Sequence, residues 1–305
     1  MLAGALYAGP CTVLAAPLHR ADIAAEPTWV LHVDCDALRP TAVGQYLVSE
    51  MEKPGAQAGF AAFKTMFSFD PRKQLHGLTL YSTANGTDDG VLLVSADFEP
   101  ERLVTLAKAA KEAQNTPYKK HVIYSWIDDR RKATNGVMPR IYAALQGSRL
   151  VVFAQREARV AQALDVLDQA APNLSTSKAF PQLGARGNSA VIDAAARKLD
   201  LPDSAPNAAL FRLAKQMRLQ AGETNRQVTA TLVLETNSED LARQAATVVQ
   251  GALMLAKLQK EKPEAGRIAE ALSLKQDGPN LTAALTLPAA DFINVLKADL
   301  EKKKN

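Results

Sequence analysis

A chain of 305 residues, 47% hydrophobic and 22% charged, can bury one large core or two ordinary ones. Its net charge of +4 is mild, with 36 Lys and Arg spread among 32 acids, which excludes a dedicated nucleic-acid surface. Aromatic residues make up 6% of the chain, too few for a base-stacking platform.

The N-terminus differs from the rest. Residues 2 to 18, LAGALYAGPCTVLAAPL, are apolar and small, with no charge before His19. That length suits the apolar core of a secretory signal better than a transmembrane span, which needs roughly 20 apolar residues. Residues 1–25 are therefore expected to be an export segment, and the absence of Lys or Arg ahead of the apolar run reads as a truncated start. Pro10 before Cys11 argues against a lipid-attachment signal, which wants a small residue there. Export implies a periplasmic or extracellular location. Removal of the segment leaves Cys35 as a lone thiol, so the fold must rest on its core rather than on a disulfide.

Next come a strand at 28–35 and a helix over about 41–67. Then one pattern recurs: two apolar-rich strands around a turn, followed by a helical stretch. It occurs at 74–98 with turn residues Asn85-Gly86 and Asp89-Gly90, and at 140–155 with Gln146-Gly147-Ser148. It occurs again at 216–236, turning at Gly222 to Asn225, and at 272–288, turning at Asp277-Gly278-Pro279-Asn280. The helical periods that follow include Leu103, Leu106 and Ala110, then Leu241, Ala245, Val248 and Ala252. No hairpin-plus-helix unit can bury its own apolar face, which predicts an α+β fold of antiparallel sheet with helices on one face. With HVIYSWI (121–127) as a closing strand, residues 28–128 read β-α-β-β-α-β, a ferredoxin-like first module. Residues 139–305 form the second module, with three hairpin–helix units and an extra strand near 188–195. The linker is DDRRKATNGVMP, and 171–188 reads as a surface or binding loop.

The chemistry concentrates in VLHVDCDALRP (30–40). Alternation puts Leu31, Val33 and Cys35 on one face and His32, Asp34 and Asp36 on the other. An apolar strand ending in Asp-x-Asp resembles the first motif of the haloacid-dehalogenase-like phosphatases. The resemblance implies Asp34 as nucleophile, Asp36 as acid/base, and Mg²⁺ as cofactor, with Ser82 or Thr83, Lys119 or Lys120, and Asp128-Asp129 as further motif residues. It also implies a parallel sheet, whereas 74–98 reads as an antiparallel hairpin, and Leu38 departs from the motif. A metal site at His32, Asp34 and Asp36 is a second reading, since three ligand types two apart on one strand face reach one ion. The expectation preferred to both is a strand-to-helix turn: His32 and Asp34 toward solvent or a helix edge, Asp36 bonding backbone amides.

No nucleophile elbow, phosphate loop or zinc-protease motif occurs, and with only four His no cofactor is expected. His76 and His121 read as packed or surface strand residues. ATVVQGALMLA (246–256) is apolar over more than one stripe, which points to a subunit or partner contact through Val248, Gly251, Ala252 and Leu255. It is too short to span a bilayer. With Phe-Asp-Pro-Arg-Lys (69–73) entering a strand, the chain resembles uncharacterised exported bacterial proteins, a resemblance that implies no activity. The function expected is non-catalytic binding, scaffolding or assembly in the cell envelope or outside it.

Overall fold

A computed structural model describes residues 17–85, 88–129, 131–133, 137–184, 190–197, 212–258 and 263–302. The expected leader up to residue 16 with Cys11, the turn residue Gly86, part of the 128–139 linker and the terminal Lys303-Lys304-Asn305 lie outside the described residues.

The strands are β1 (Trp29–Asp34), β2 (Leu75–Ser82), β3 (Val91–Ala96), β4 (Gln114–Tyr118), β5 (His121–Ile127) and β6 (Arg140–Gln146). They continue as β7 (Leu150–Ala154), β8 (Ala190–Arg197), β9 (Ala214–Thr224), β10 (Gln227–Thr236), β11 (Leu272–Asp277) and β12 (Asn280–Pro288). The helices are α1 (Cys35–Leu38), α2 (Ala42–Met51), α3 (Pro54–Phe67), α4 (Pro71–Gln74), α5 (Pro100–Ala109), α6 (Glu157–Leu167), α7 (Glu239–Leu258), α8 (Pro263–Ala271) and α9 (Ala289–Lys302). The helix expected over 41–67 is two helices. Pro54 cannot donate a backbone hydrogen bond and biases Lys53 to extended geometry (ψ 146°), so the chain restarts there.

All the strands join one twelve-stranded sheet, in the order β11-β12-β10-β9-β8-β1-β2-β3-β7-β6-β5-β4. Its described pairings are antiparallel throughout, as local hairpins dictate. The β9–β10 turn shows why. Asn225 and Arg226 both take positive φ, 52° and 59°, the two-residue geometry whose twist matches the flanking strands. Strand β4 escaped the sequence reading because QNTPY is polar and contains Pro117; it is the exposed edge, where proline is tolerated.

Two expectations need correction. The ferredoxin-like order would place the strand at 121–127 beside β1, but β1 lies between β2 and β8, and β5 between β4 and β6. The hairpins zip sequentially instead, so no split βαβ crossover forms. Nor do the helices share one face. Val30, Tyr81, Leu93 and Val152 pack under α6 and the segment 171–184, while Leu234 and Leu281 pack under α7 on the opposite side. Helices α2 and α9 cover Val228, which shares the α7 side of β10. The sheet also runs unbroken past the expected linker, because β5 pairs with β6 across it.

The two faces can be followed strand by strand. In register across β2, β1, β8, β9 and β10, one face carries Thr79, His32, Asp193, Gln220 and Thr231. The row beside it on the other face, extended to β3, carries Leu92, Leu80, Leu31, Ala194, Leu219 and Leu232. The first is called the α6 face below, the second the α7 face.

Candidate functional site

Strand β1 delivers His32, Asp34 and Asp36 to the interior rather than to solvent: all three are buried, with Asp34 only 4% exposed. This reverses the expectation for His32 and Asp34. Val30 on the same face enters the main core, and half-buried Leu31 and Val33 point to the α7 face.

Backbone geometry assigns Asp34 its role. It is extended (φ −84°, ψ 100°) at the N-cap of α1, and its carboxylate accepts from Ala37 N–H at 2.8 Å. A short side chain there satisfies an otherwise orphaned amide. The turn-forming carboxylate is thus Asp34, where Asp36 was expected. Asp36 instead accepts from Arg39 Nη1 at 2.7 Å and lies 3.0 Å from His76 Nδ1. His76 Nε2 sits 3.2 Å from Asp97 Oδ2, off the line of a hydrogen bond. Asp97 in turn meets Arg149 at 2.9 Å. Arg39 also donates to the carbonyls of Arg72 and Leu75, tying α1 to the start of β2. These polar contacts, each residue held by the next, make a structural network.

The three residues therefore do not converge. His32 Nδ1 lies 2.9 Å from Thr79 Oγ1, Asp34 holds a helix start, and Asp36 holds Arg39 and His76. Among the described residues no group of three His, Cys, Asp or Glu is placed to hold a metal ion. The parallel sheet implied by the phosphatase resemblance is not formed, since β1 is antiparallel to both neighbours. Its further motif residues are engaged elsewhere. Ser82 donates to Ala84 O at 2.8 Å, Lys119 pairs with Asp165, and Lys120 pairs with Asp168 at 2.9 Å. Between the aspartates, burial pushes the Cys35 thiol up to about 11, with the charge of Asp34 adding to it, so the thiolate nucleophile is suppressed.

Sequence reasoning missed the polar work of other residues. Arg20 donates to the carbonyls of Leu174, Ala179, Phe180 and Leu183, gathering the segment 171–184 under one guanidinium. Leu174, Phe180 and Leu183 are then buried in the core, so this stretch is a lid on the α6 face rather than a surface loop. Its signal was the spacing of apolar residues inside a polar run, without helical or strand period.

Helix α7 buries Ala242, Ala245 and Ala246, the last two against Leu234 and Leu281. Its opposite side presents Val248, Gly251, Ala252, Leu255 and Leu258 to solvent, with open space where a side chain on Gly251 would stand. Helix α3 carries Phe60, Phe63 and Met66 yet buries none of its residues. It borders a shallow apolar hollow of about 350 Å³ between Met51, Gly59, Phe63 and Pro71. No described helix is long and apolar enough to cross a membrane.

No protein-family model matches the chain, and no curated protein matches it. Among solved structures the chain is similar to crystal form III of TP0453, at TM-score 0.48 and 12% identity over 92% of this chain and 98% of that one. Crystal form I of TP0453 gives TM-score 0.46 and 10% identity over 93% and 98%. Crystal form IV gives 0.45 and 9% over 92% and 97%. At these values the likeness assigns neither family nor function.

Proposed function

We propose that the chain is a non-catalytic docking protein of the cell envelope or exterior, and that it meets a protein partner through the outward stripe of α7. The observation that carries this reading is the exposure of Val248 and Leu255, 58% and 65%, on a helix whose other side is already buried. A helix apolar on both sides belongs between two packed layers, and the described residues supply one. Gly251 and Ala252 form a notch between those two knobs, so a second copy of the chain can pack knob into notch about a twofold axis. The hairpins β2–β3, β6–β7, β9–β10 and β11–β12 are each followed by a helix, which fits a scaffold assembled from one repeated unit.

Sedimentation equilibrium of the full chain tests the contact, with a second copy as the first partner. A reversible dimer is expected for the wild type and a monomer for Leu255→Glu, with unchanged circular dichroism. A wild type that stays monomeric at high concentration removes the self-contact. A dimer indifferent to Leu255→Glu places the contact elsewhere.

A further inference from the structure

The chain is built into its own core from Leu18 onward. Leu18 and Ile23 are buried in the main cluster with the α6 residues Val160 and Leu164, Ile23 completely, and Pro27 is fully buried as well. Gly184, at φ 72°, lets Leu18 lie so close that a β-carbon there would stand 3.0 Å from its side chain. A 3₁₀ turn at Arg20–Asp22 aims the Arg20 guanidinium at the carbonyls of Leu174, Ala179, Phe180 and Leu183, at 2.6 to 3.1 Å. Ala24 bridges to Asn173, Leu174 N–H donates to Ile23 O at 2.8 Å, and Ala25 N–H donates to Pro172 O at 3.2 Å. Glu26 accepts from Ser177 Oγ and Arg197 Nη2, and Pro27 O from Arg197 Nε. Residues 18–27 thus form a strap across the segment 171–184, whereas Pro17 ahead of them is exposed.

The export segment expected at 1–25 carries two tripeptides of the kind that precede a cut, Val13-Leu14-Ala15 and Ile23-Ala24-Ala25. We propose that the cut falls between Ala15 and Ala16, and that the strap from Leu18 is retained as the first element of the mature protein. This rests on the export half of the reading above and not on the α7 contact. The step is hydrolysis by a leader peptidase of the exporting cell. Water adds to the Ala15–Ala16 amide, its C–N bond breaks, the leader departs with Ala15 as its carboxylate, and Ala16 keeps the new amino group. A cut after Ala25 would take Leu18, Arg20 and Ile23 from the chain. The core would lose two apolar side chains, the N–H of buried Leu174 its acceptor, and four carbonyls a shared donor. With Cys35 the one thiol downstream, no disulfide within the chain could offset that loss. A cut after Ala16 is disfavoured twice. It puts Leu14, not a small residue, third before the bond, and it has to break the tertiary amide of Pro17.

The test is export of the full chain from a Gram-negative host, with Lys-Lys inserted between Met1 and Leu2 to supply the charge a leader needs. Intact mass and N-terminal sequencing then read the periplasmic form. A chain beginning at Ala16 is expected, and Ala15→Leu is expected to leave the leader attached. An exported chain that begins elsewhere, at Glu26 above all, or an Ala15→Leu chain cut in the same place, overturns the proposal and leaves the envelope reading standing. A chain that keeps its leader and stays in the cytoplasm overturns both. A second measurement needs no export. In the unprocessed full chain, Arg20→Gln and Ile23→Ala are each expected to lower the thermal midpoint, Ile23→Ala by about 5 °C or more. Unchanged midpoints in both variants would make the strap dispensable and overturn the proposal as well.

Discussion

The two faces of the central strands differ in a way that inverts the usual rule for a half-buried sheet. On the α6 face, polar His32 and Asp193 are buried and Thr79, opposite His32, is half-buried. On the α7 face the same strands carry a continuous row of hydrocarbon side chains, Leu80, Leu31 and Ala194, that are only half-buried. Alternation separates two faces reliably, but it does not say which one the rest of the chain will cover. Cover is decided by what can satisfy the buried polar groups. Here His32 meets Thr79, and Asp193 accepts from Gly184 N–H at 2.8 Å, so the polar row is tolerated inside.

The sharpest way to break this comparison is to cut equal volume from each side. Leu164 of α6 is fully buried in the main core, and Leu164→Ala is expected to cost about 3 kcal/mol in urea unfolding. Leu219→Ala on the α7 face is expected to cost about 1 kcal/mol, since part of its surface is already in water. Equal losses would mean that both faces are closed in solution.

Next in size is the network under β1. Asp36→Ala leaves Arg39 and His76 without their shared carboxylate in a largely buried place, and about 2 kcal/mol of destabilisation is expected. A loss below about 0.5 kcal/mol would show that water replaces the carboxylate there, as at an ordinary surface pair.

Acid unfolding follows. Hydrogen bonds from Arg72 hold Asp70 down to about 2. Burial works against the charge of Asp168, but bonds from Lys120, His121 and Gln146 outweigh it and bring that group also to about 2. A carboxylate held below its unfolded value stabilises the fold fully above that value, about 4, and loses the contribution as pH falls toward 2. Asp70 is buried and Asp168 half-buried, but the lysines that pair with them are exposed, so about 1 kcal/mol each is expected after screening. Stability measured in urea should therefore drop between about pH 4 and 2, and Asp168→Asn should flatten that slope.

How much of this could be read beforehand depends on the range of the interactions. The hairpins were legible because turn residues and strand alternation are local: Gly278 and Gly147 both take positive φ at their turns. The order of strands was less so, because β1 pairs with β8 across some 160 residues, and nothing local in either strand specifies the partner. Likewise Arg20 collects carbonyls from residues 174 to 183, a contact no spacing rule anticipates. At the candidate site the residue types were read correctly as polar ends of a strand, but their partners across the fold, Thr79 for His32 and His76 for Asp36, lie 40 or more residues away.

The smallest effect separates the roles of the paired aspartates. Asp34 accepts a hydrogen bond from Ala37 N–H at its Oδ1, at the start of a single-turn helix. Asp34→Ala is expected to cost about 1 kcal/mol, the value of an N-cap, and Asp34→Asn almost nothing, because the amide oxygen accepts the same bond. A residue whose charge mattered would behave differently: Asn would then be as damaging as Ala. Urea unfolding of the two variants side by side reads the distinction directly. Asn matching wild type makes Asp34 a cap, and Asn matching Ala makes its negative charge the property the fold requires.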